Sequence, residues 1–202
     1  MSVVTAPIFN EYDLAPLPVY RFSVQQYRRL GELCVLTEDD DVELLEGWIV
    51  RKMNHNPRHD AAVDLADDAI RAHLPPGWRV RIQSAVTTAD SEPEPDLAIV
   101  RGSARQYSQQ HPQPNDIALI IEVADSSLPR DRFKCRLYGR AKVSSYWIIN
   151  LVDSLVEAYT EPSALDEPPS YRRRVDYRPD QTVPLLIQGQ EVAQIPVRDL
   201  LP

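Results

Sequence analysis

Residues Asn115 to Asn150, NDIALIIEVADSSLPRDRFKCRLYGRAKVSSYWIIN, put an apolar run, an acid, a basic helix and a second apolar run in direct succession. No other stretch limits the fold as strongly. Ile117 to Ile121 is unbroken by polar side chains, the pattern of a central strand covered on both faces, and Glu122 follows at its carboxyl end. A carboxylate buried there is tolerated when a metal, a cation or several hydrogen-bond donors hold it, so Glu122 calls for a partner. Arg130 to Lys142 offers one. Phe133, Leu137 and Ala141 recur at helical spacing and are expected to face the core, while Arg130, Lys134 and Tyr138 make a neighbouring i, i+4 row. A helix so phased lays a lysine over the strand.

At 202 residues the chain suits one folded domain over 22–202, preceded by an N-terminal arm over 1–21 that carries Pro7, Pro16 and Pro18 and no sustained period. Charged residues at 26% and hydrophobic ones at 43% are ordinary globular usage, and 18 prolines against 6 glycines point to stiff, extended connections. No apolar run approaches the ~18 residues of a membrane span, and MSVVTAPIFNEYDLAP lacks the basic start and apolar centre of a signal peptide. A cytoplasmic protein with no membrane contact is expected. Cys34 and Cys135 lack CxxC spacing and fit reduced packing thiols in two separate helices. The formal charge of −8 argues against holding nucleic acid by an overall field, so any such contact has to be a local patch.

Along the chain, Ser23 and Gln26 form a capping-box pattern for a short helix whose Val24, Tyr27, Leu30 and Leu33 return to one face. The acidic run Glu38 to Asp41 reads as a solvated loop. VELLEGWIVRKM, Val42 to Met53, predicts a hairpin turning at Glu46 and Gly47. Strand alternation puts Glu43 and Glu46 on opposite faces, so only one is expected to serve a site. His55 and His59 are four apart with Pro57 between them and no HExxH, which argues against a zinc pair on one helix turn. His59 instead opens a helix to about His73, burying Ala62, Ala66, Ala69 and Ile70. Trp78, Val80 and Ile82 alternate with Arg79, Arg81 and Gln83 as a strand with a basic outer row. Further strands are read at Leu97 to Val100, Ser145 to Asn150, Leu155 to Tyr159 and Tyr171 to Tyr177, the last carrying Arg172, Arg173 and Arg174. With Arg79 and Arg81, these three arginines are the candidates for a local basic patch.

Asp96 stands just before its apolar strand, 26 residues ahead of Glu122, and Lys134 follows twelve further on. Neighbouring strands lie about 4.8 Å apart, so two such carboxylates can share one cation. Hard oxygen ligands select Mg2+ or Mn2+, and a lysine nearby can orient water or stabilise developing charge. The same residues equally fit a surface aspartate beside a structural Glu122 and Lys134 pair.

PEPDLAIV, LIIEVADSS and RDRFKCRLYGRAKVSSYWIIN together resemble the Uma-two family of restriction endonucleases, within the PD-(D/E)XK nuclease superfamily. FSVQQYRRL, VELLEGWIV and PRHD fall in matching order upstream, so the likeness spans roughly residues 22–178. It implies an α/β (α+β) fold with a restriction-endonuclease-like core: a mixed central β-sheet flanked by helices, with added β-hairpins. It implies hydrolysis of DNA phosphodiester bonds with Mg2+ or Mn2+. The motif acids fall on Glu43, Asp96 and Glu122, with Asp96 and Glu122 as metal ligands and Lys134 as the catalytic lysine. The superfamily's lysine usually stands two after the second acid, where this chain has Ala124, so Lys134 on the next helix resembles a migrated lysine. His59 matches the family's histidine at the helix start, its role left open. Where the family has serine, three residues after the acid, the chain has Asp125, which adds a ligand or weakens phosphate approach.

Two other functions compete with a DNA nuclease. A nuclease-like interaction or structural module that does not cut is favoured by the net charge and by Asp125. A hydrolase of small phosphodiesters would need no basic surface. Oligomeric state stays open, a homodimer included.

Overall fold

A computed structural model describes residues 18–165 and 168–202, so the expected N-terminal arm lies almost wholly outside the described residues. Helix α1, Val24–Glu32, starts on the capping box read from the sequence, with Ser23 Oγ accepting from Gln26 N and the Gln26 side chain accepting from Ser23 N. Its apolar stripe is only half-buried, and Leu33 is exposed. Strands β1, Val42–Leu45, and β2, Trp48–Arg51, make the hairpin, in register Leu45 to Trp48. Both turn residues have positive φ, Glu46 at 50° and Gly47 at 81°, the backbone of a type I′ turn. Gly47 is also needed for space, because a Cβ there would lie 2.6 Å from Arg21 Cβ. The acidic run ahead of the hairpin is exposed, as expected.

Helix α2, Pro57–Arg71, is N-capped by Asn56 and buries His59, Ala62, Val63, Ala66 and Ile70. Then come β3, Trp78–Ile82, β4, Leu97–Arg101, and β5, Ile117–Ala124, which is buried along its whole length. Helix α3, Leu128–Arg140, crosses to β6, Ser145–Asn150, followed by β7, Leu155–Ser163, and β8, Ser170–Tyr177. A last hairpin, β9, Thr182–Ile187, and β10, Gln190–Pro196, was not evident in the sequence, where Pro184 and Pro196 interrupt any strand pattern.

The six-stranded sheet runs β3-β4-β5-β6-β7-β8. Every neighbour pairs antiparallel except β5 and β6, which are parallel and joined by α3. One face carries α2 and the β9-β10 hairpin over Ala62, Val63, Ile70, Leu97, Ile121, Trp147 and Leu185. The other carries α3 and the β1-β2 hairpin over Ala98, Ile120, Tyr138, Tyr146 and Ile148. This is the mixed, helix-flanked sheet with added hairpins that the sequence implies. Among the described residues no helix is long and apolar enough to cross a membrane.

Two packing expectations are corrected. Phe133 is 45% exposed with the Arg136 guanidinium 4.2 Å from its ring centroid, while Asp131, Lys134, Cys135, Leu137 and Tyr138 are the buried side of α3. The helix is rolled so that its polar row faces inward, because Glu122 is buried beneath it and requires donors. Cys34 is exposed just past the end of α1 with positive φ, neither helical nor packed, whereas Cys135 is buried; both are free thiols.

Candidate active site

Glu122 lies at the carboxyl end of β5 with its side chain turned toward α3, and only 4% of the residue is exposed. Its Oε1 accepts from Lys134 Nζ at 2.8 Å and from Tyr138 Oη at 3.2 Å. Helix spacing delivers both donors, four residues apart on one row. Ala124, two residues on, is fully buried, and the amine that reaches Glu122 comes from α3. Lys134 Nζ also lies 3.6 Å from Glu43 Oε1. Glu43 is held by Arg130, whose other terminal nitrogen donates to Arg51 O at 2.6 Å, and it accepts from Glu94 N at 3.1 Å.

Asp96 sits one residue ahead of β4, with its Oδ2 accepting from Val123 N at 2.7 Å and facing His59 Nε2 at 3.2 Å. Asp131, one helical turn before Lys134, is buried and accepts from Ser127 Oγ at 2.6 Å. Glu43, Asp96, Glu122, Asp131, Lys134 and His59 line one cleft, with Arg130, His55 and Asp125 at its mouth. All four residues selected from sequence, Glu43, Asp96, Glu122 and Lys134, therefore meet in one place.

Its electrostatics are lopsided. Four buried carboxylates face one buried lysine and the half-buried Arg130. Burial pushes the Glu122 carboxyl up to about 8 against the pull of Lys134, with Asp131, Asp96 and Glu43 adding to the rise. Burial also raises Asp131. On Lys134, burial works downward, but Glu122, Glu43 and Asp131 outweigh it and hold the ammonium charged. His59 follows the same pattern: burial lowers it, Asp96 and Asp60 more than reverse that, and its affinity for a proton rises.

Sequence reasoning missed Asp131 and Arg130 as members of the cleft. Asp131 could have been found from Lys134, since residues three apart share a helix face. Asp125 sits at the mouth with its carboxylate accepting from Asn56 Nδ2 at 3.0 Å. Glu46, expected to point away from any site, is also buried, but on the Arg136 and Arg140 guanidiniums rather than on the cleft. The five arginines proposed as one patch are split. Arg79 and Arg81 are on β3 at one edge of the sheet, and Arg172, Arg173 and Arg174 are on β8 at the other. Six strands at about 4.8 Å spacing keep them roughly 24 Å apart. Only β3 leads to the cleft, through Gln83, whose N donates to Asp96 O at 2.9 Å. Arg174 is occupied by Asp176 at 2.7 Å and Glu157 at 3.2 Å, whereas neither Arg79 nor Arg81 makes an ion pair among the described residues.

The family Uma2, described as “Putative restriction endonuclease”, matches residues 24–196. The chain belongs to the Uma2 family. A solved structure described as a “putative nuclease belonging to DUF820”, from Anabaena variabilis, superposes with a TM-score of 0.63 over 84% of this chain and 94% of that one, at 17% identity. At that identity the likeness speaks for the fold, and it is the nuclease-like fold expected of Uma2. No curated protein matches. Uma2 membership supports a nuclease function.

Proposed function

We propose that the cleft hydrolyses phosphodiester bonds of DNA in the cytoplasm with a divalent ion, Mg2+ or Mn2+, held by Asp96 and Glu122. The observation that carries this reading is the excess of buried carboxylate over buried cation. Mutual repulsion and desolvation of Glu43, Asp96, Glu122 and Asp131 are relieved by a small hard cation, and oxygen donors are the set such an ion takes. Among the described residues Glu122 keeps its Oε2 free of any hydrogen bond, and Asp96 its Oδ1, so each retains an oxygen for a ligand. A divalent ion there supplies Lewis acidity toward a phosphoryl oxygen and makes water more acidic.

The protein's own groups do the rest. Val123 N and His59 fix the Asp96 carboxylate, and Lys134 with Tyr138 fixes that of Glu122, so both acids are oriented before substrate arrives. Lys134, held charged among acids, neutralises charge that develops at the phosphate as the P–O bond breaks. Glu43 and Arg130 wall the far side and keep that amine in place. Arg79 and Arg81 on β3 receive the phosphates that flank the scissile one.

The test is conversion of supercoiled plasmid to nicked and linear forms with and without Mg2+ or Mn2+. Metal-dependent cutting that Asp96→Asn abolishes supports the reading. A wild type that binds the ion and leaves DNA intact, while hydrolysing a small model diester, would move the substrate to small phosphodiesters. Neither activity in the presence of bound ion would make the cleft a non-cutting module.

A further inference from the structure

We infer that His55, His59 and Asp60 form a second metal site, for a transition ion of the zinc class, at the mouth of the cleft and distinct from the Asp96 and Glu122 pair. Asn56 shapes it. As N-cap, with extended backbone at φ −130° and ψ 164°, it accepts from Arg58 N and His59 N and turns the chain so that His55, just outside the helix, folds back over the first turn. The two imidazoles stack with centroids 4.4 Å apart and planes inclined by 21°, so both Nδ1 lone pairs meet on one ion once the exposed His55 ring turns out of the stack. Nδ1 of each ring converges on Asp60 Oδ1, from His59 at 3.4 Å and from His55 at 3.6 Å.

Those separations are longer than a good N–H···O hydrogen bond, which lies at about 2.7–3.2 Å. They suit two donors on one tetrahedral ion, which at bonds of about 2.0 Å stand roughly 3.3 Å apart. One donor atom from each of the three residues lies within 4.8 Å of the others, a set found at no other place among the described residues. Two imidazoles are borderline donors and, with a single carboxylate, select zinc-class ions over magnesium. A fourth donor is at hand. Gln83 places its amide 3.1 Å from His55 Nδ1, and turning the amide exchanges Nε2 for Oε1 and gives an oxygen beside that ring.

His59 supplies the independent observation. Its remaining nitrogen, Nε2, faces Asp96 Oδ2 at 3.2 Å, the carboxylate-histidine-metal arrangement that fixes a ligating ring and its tautomer. An ion on Nδ1 leaves the proton on Nε2, donated to Asp96. The start of a helix disfavours a cation, but Asp60, Asp96 and Asp125 outnumber that partial charge. The site stands whether or not the cleft cuts DNA.

Titration of the purified protein with cobalt(II), followed by visible absorption and then by zinc displacement, tests it. One equivalent should give d–d bands that zinc abolishes and a large excess of Mg2+ leaves in place. His55→Ala and Asp60→Ala should each weaken binding by about 10-fold or more; both side chains are substantially exposed, so folding is not at stake. Glu122→Gln should leave the cobalt spectrum unchanged while removing Mg2+ or Mn2+ heat in calorimetry, which separates the two sites. Absence of cobalt and zinc binding in the wild type, binding that survives both substitutions, or loss of the bands in Glu122→Gln would each overturn the assignment.

Discussion

Glu122 and Glu157 flank the same β6 residue, Ile148, one from β5 and one from β7, and both are hidden from solvent. Both also receive side chains from α3. Around Glu157 the donors are in surplus: Arg132 Nε at 3.1 Å, Arg174 at 3.2 Å, Asn150 Nδ2 at 2.9 Å and Tyr159 Oη at 2.6 Å. Burial alone would raise its pKa, but Arg132, Tyr159, Asn150 and Arg174 win and hold it below the usual range. Around Glu122 the acids are in surplus, and burial wins. Burial of a carboxylate therefore marks no function by itself; the balance of charge around it separates a structural anchor from a site with capacity for a further cation.

The largest separation between the two glutamates is expected in cutting. Glu122→Gln should reduce metal-supported plasmid cleavage by about 10² or more, the scale of a lost electrostatic stabiliser. Glu157→Gln should leave the rate per folded molecule within a few-fold and instead cost about 2 kcal/mol of stability, as expected when charged hydrogen bonds are lost. Equal loss of cutting in both would remove the distinction. Lys134→Met comes next. Its ammonium is paired at 2.8 Å, so the substitution leaves a buried carboxylate unpaired and should lower the melting temperature clearly, as well as reduce cutting. Mg2+ should recover part of the lost stability, and no recovery would argue that the ion and the lysine serve different charges.

The pH dependence of stability should differ in sign. Glu122 is raised in the fold, so its contribution is complete below the unfolded carboxylate value of 4.5 and is lost as pH rises toward about 8. Glu157 is depressed, so its contribution is present above 4.5 and lost as pH falls through its folded value. Thermal melts in EDTA across this range should lose their decline between pH 4.5 and about 8 in Glu122→Gln and their acid limb in Glu157→Gln. A decline that persists in Glu122→Gln would assign the proton to another acid of the cleft. The smallest effect concerns DNA affinity. Arg81→Glu should weaken binding and lower the salt slope by about 1, while Arg173→Glu, on the far edge, should do neither. A matching effect at Arg173 would bring the far edge into the interface.

Glu122 was legible because one acid closing an unbroken apolar run requires a partner, and the β1-β2 turn because Glu46-Gly47 supplies the positive φ it needs. The phase of α3 was legible only in part, since Leu137 is buried and Lys134 and Tyr138 reach Glu122 as expected. Apolar periodicity selects Phe133, but the helix buries Asp131, Lys134 and Tyr138, since the strand beneath presents a charge rather than a methyl surface. Arg172, Arg173 and Arg174 were grouped with Arg79 and Arg81 because sequence conveys charge without sheet order, and four strands of the sheet separate them. His55 and His59 were discounted as metal ligands for want of an HExxH spacing. Their convergence depends on Asn56 reversing the chain, which spacing on an ideal helix does not describe.

The parallel β5-β6 pair and its α3 crossover also set the order in which the cleft's contacts become affordable to an unfolded chain. Glu122 and Lys134 are 12 residues apart, His59 and Asp96 are 37 apart, and Glu43 and Arg130 are 87 apart. Loop-closure entropy rises with the logarithm of the separation, so joining Glu43 to Arg130 costs about 2 kcal/mol more than joining Glu122 to Lys134. Glu122 thus has its counter-charge within its own crossover, whereas the remote hairpin's Glu43 closes the longer and entropically harder loop to Arg130.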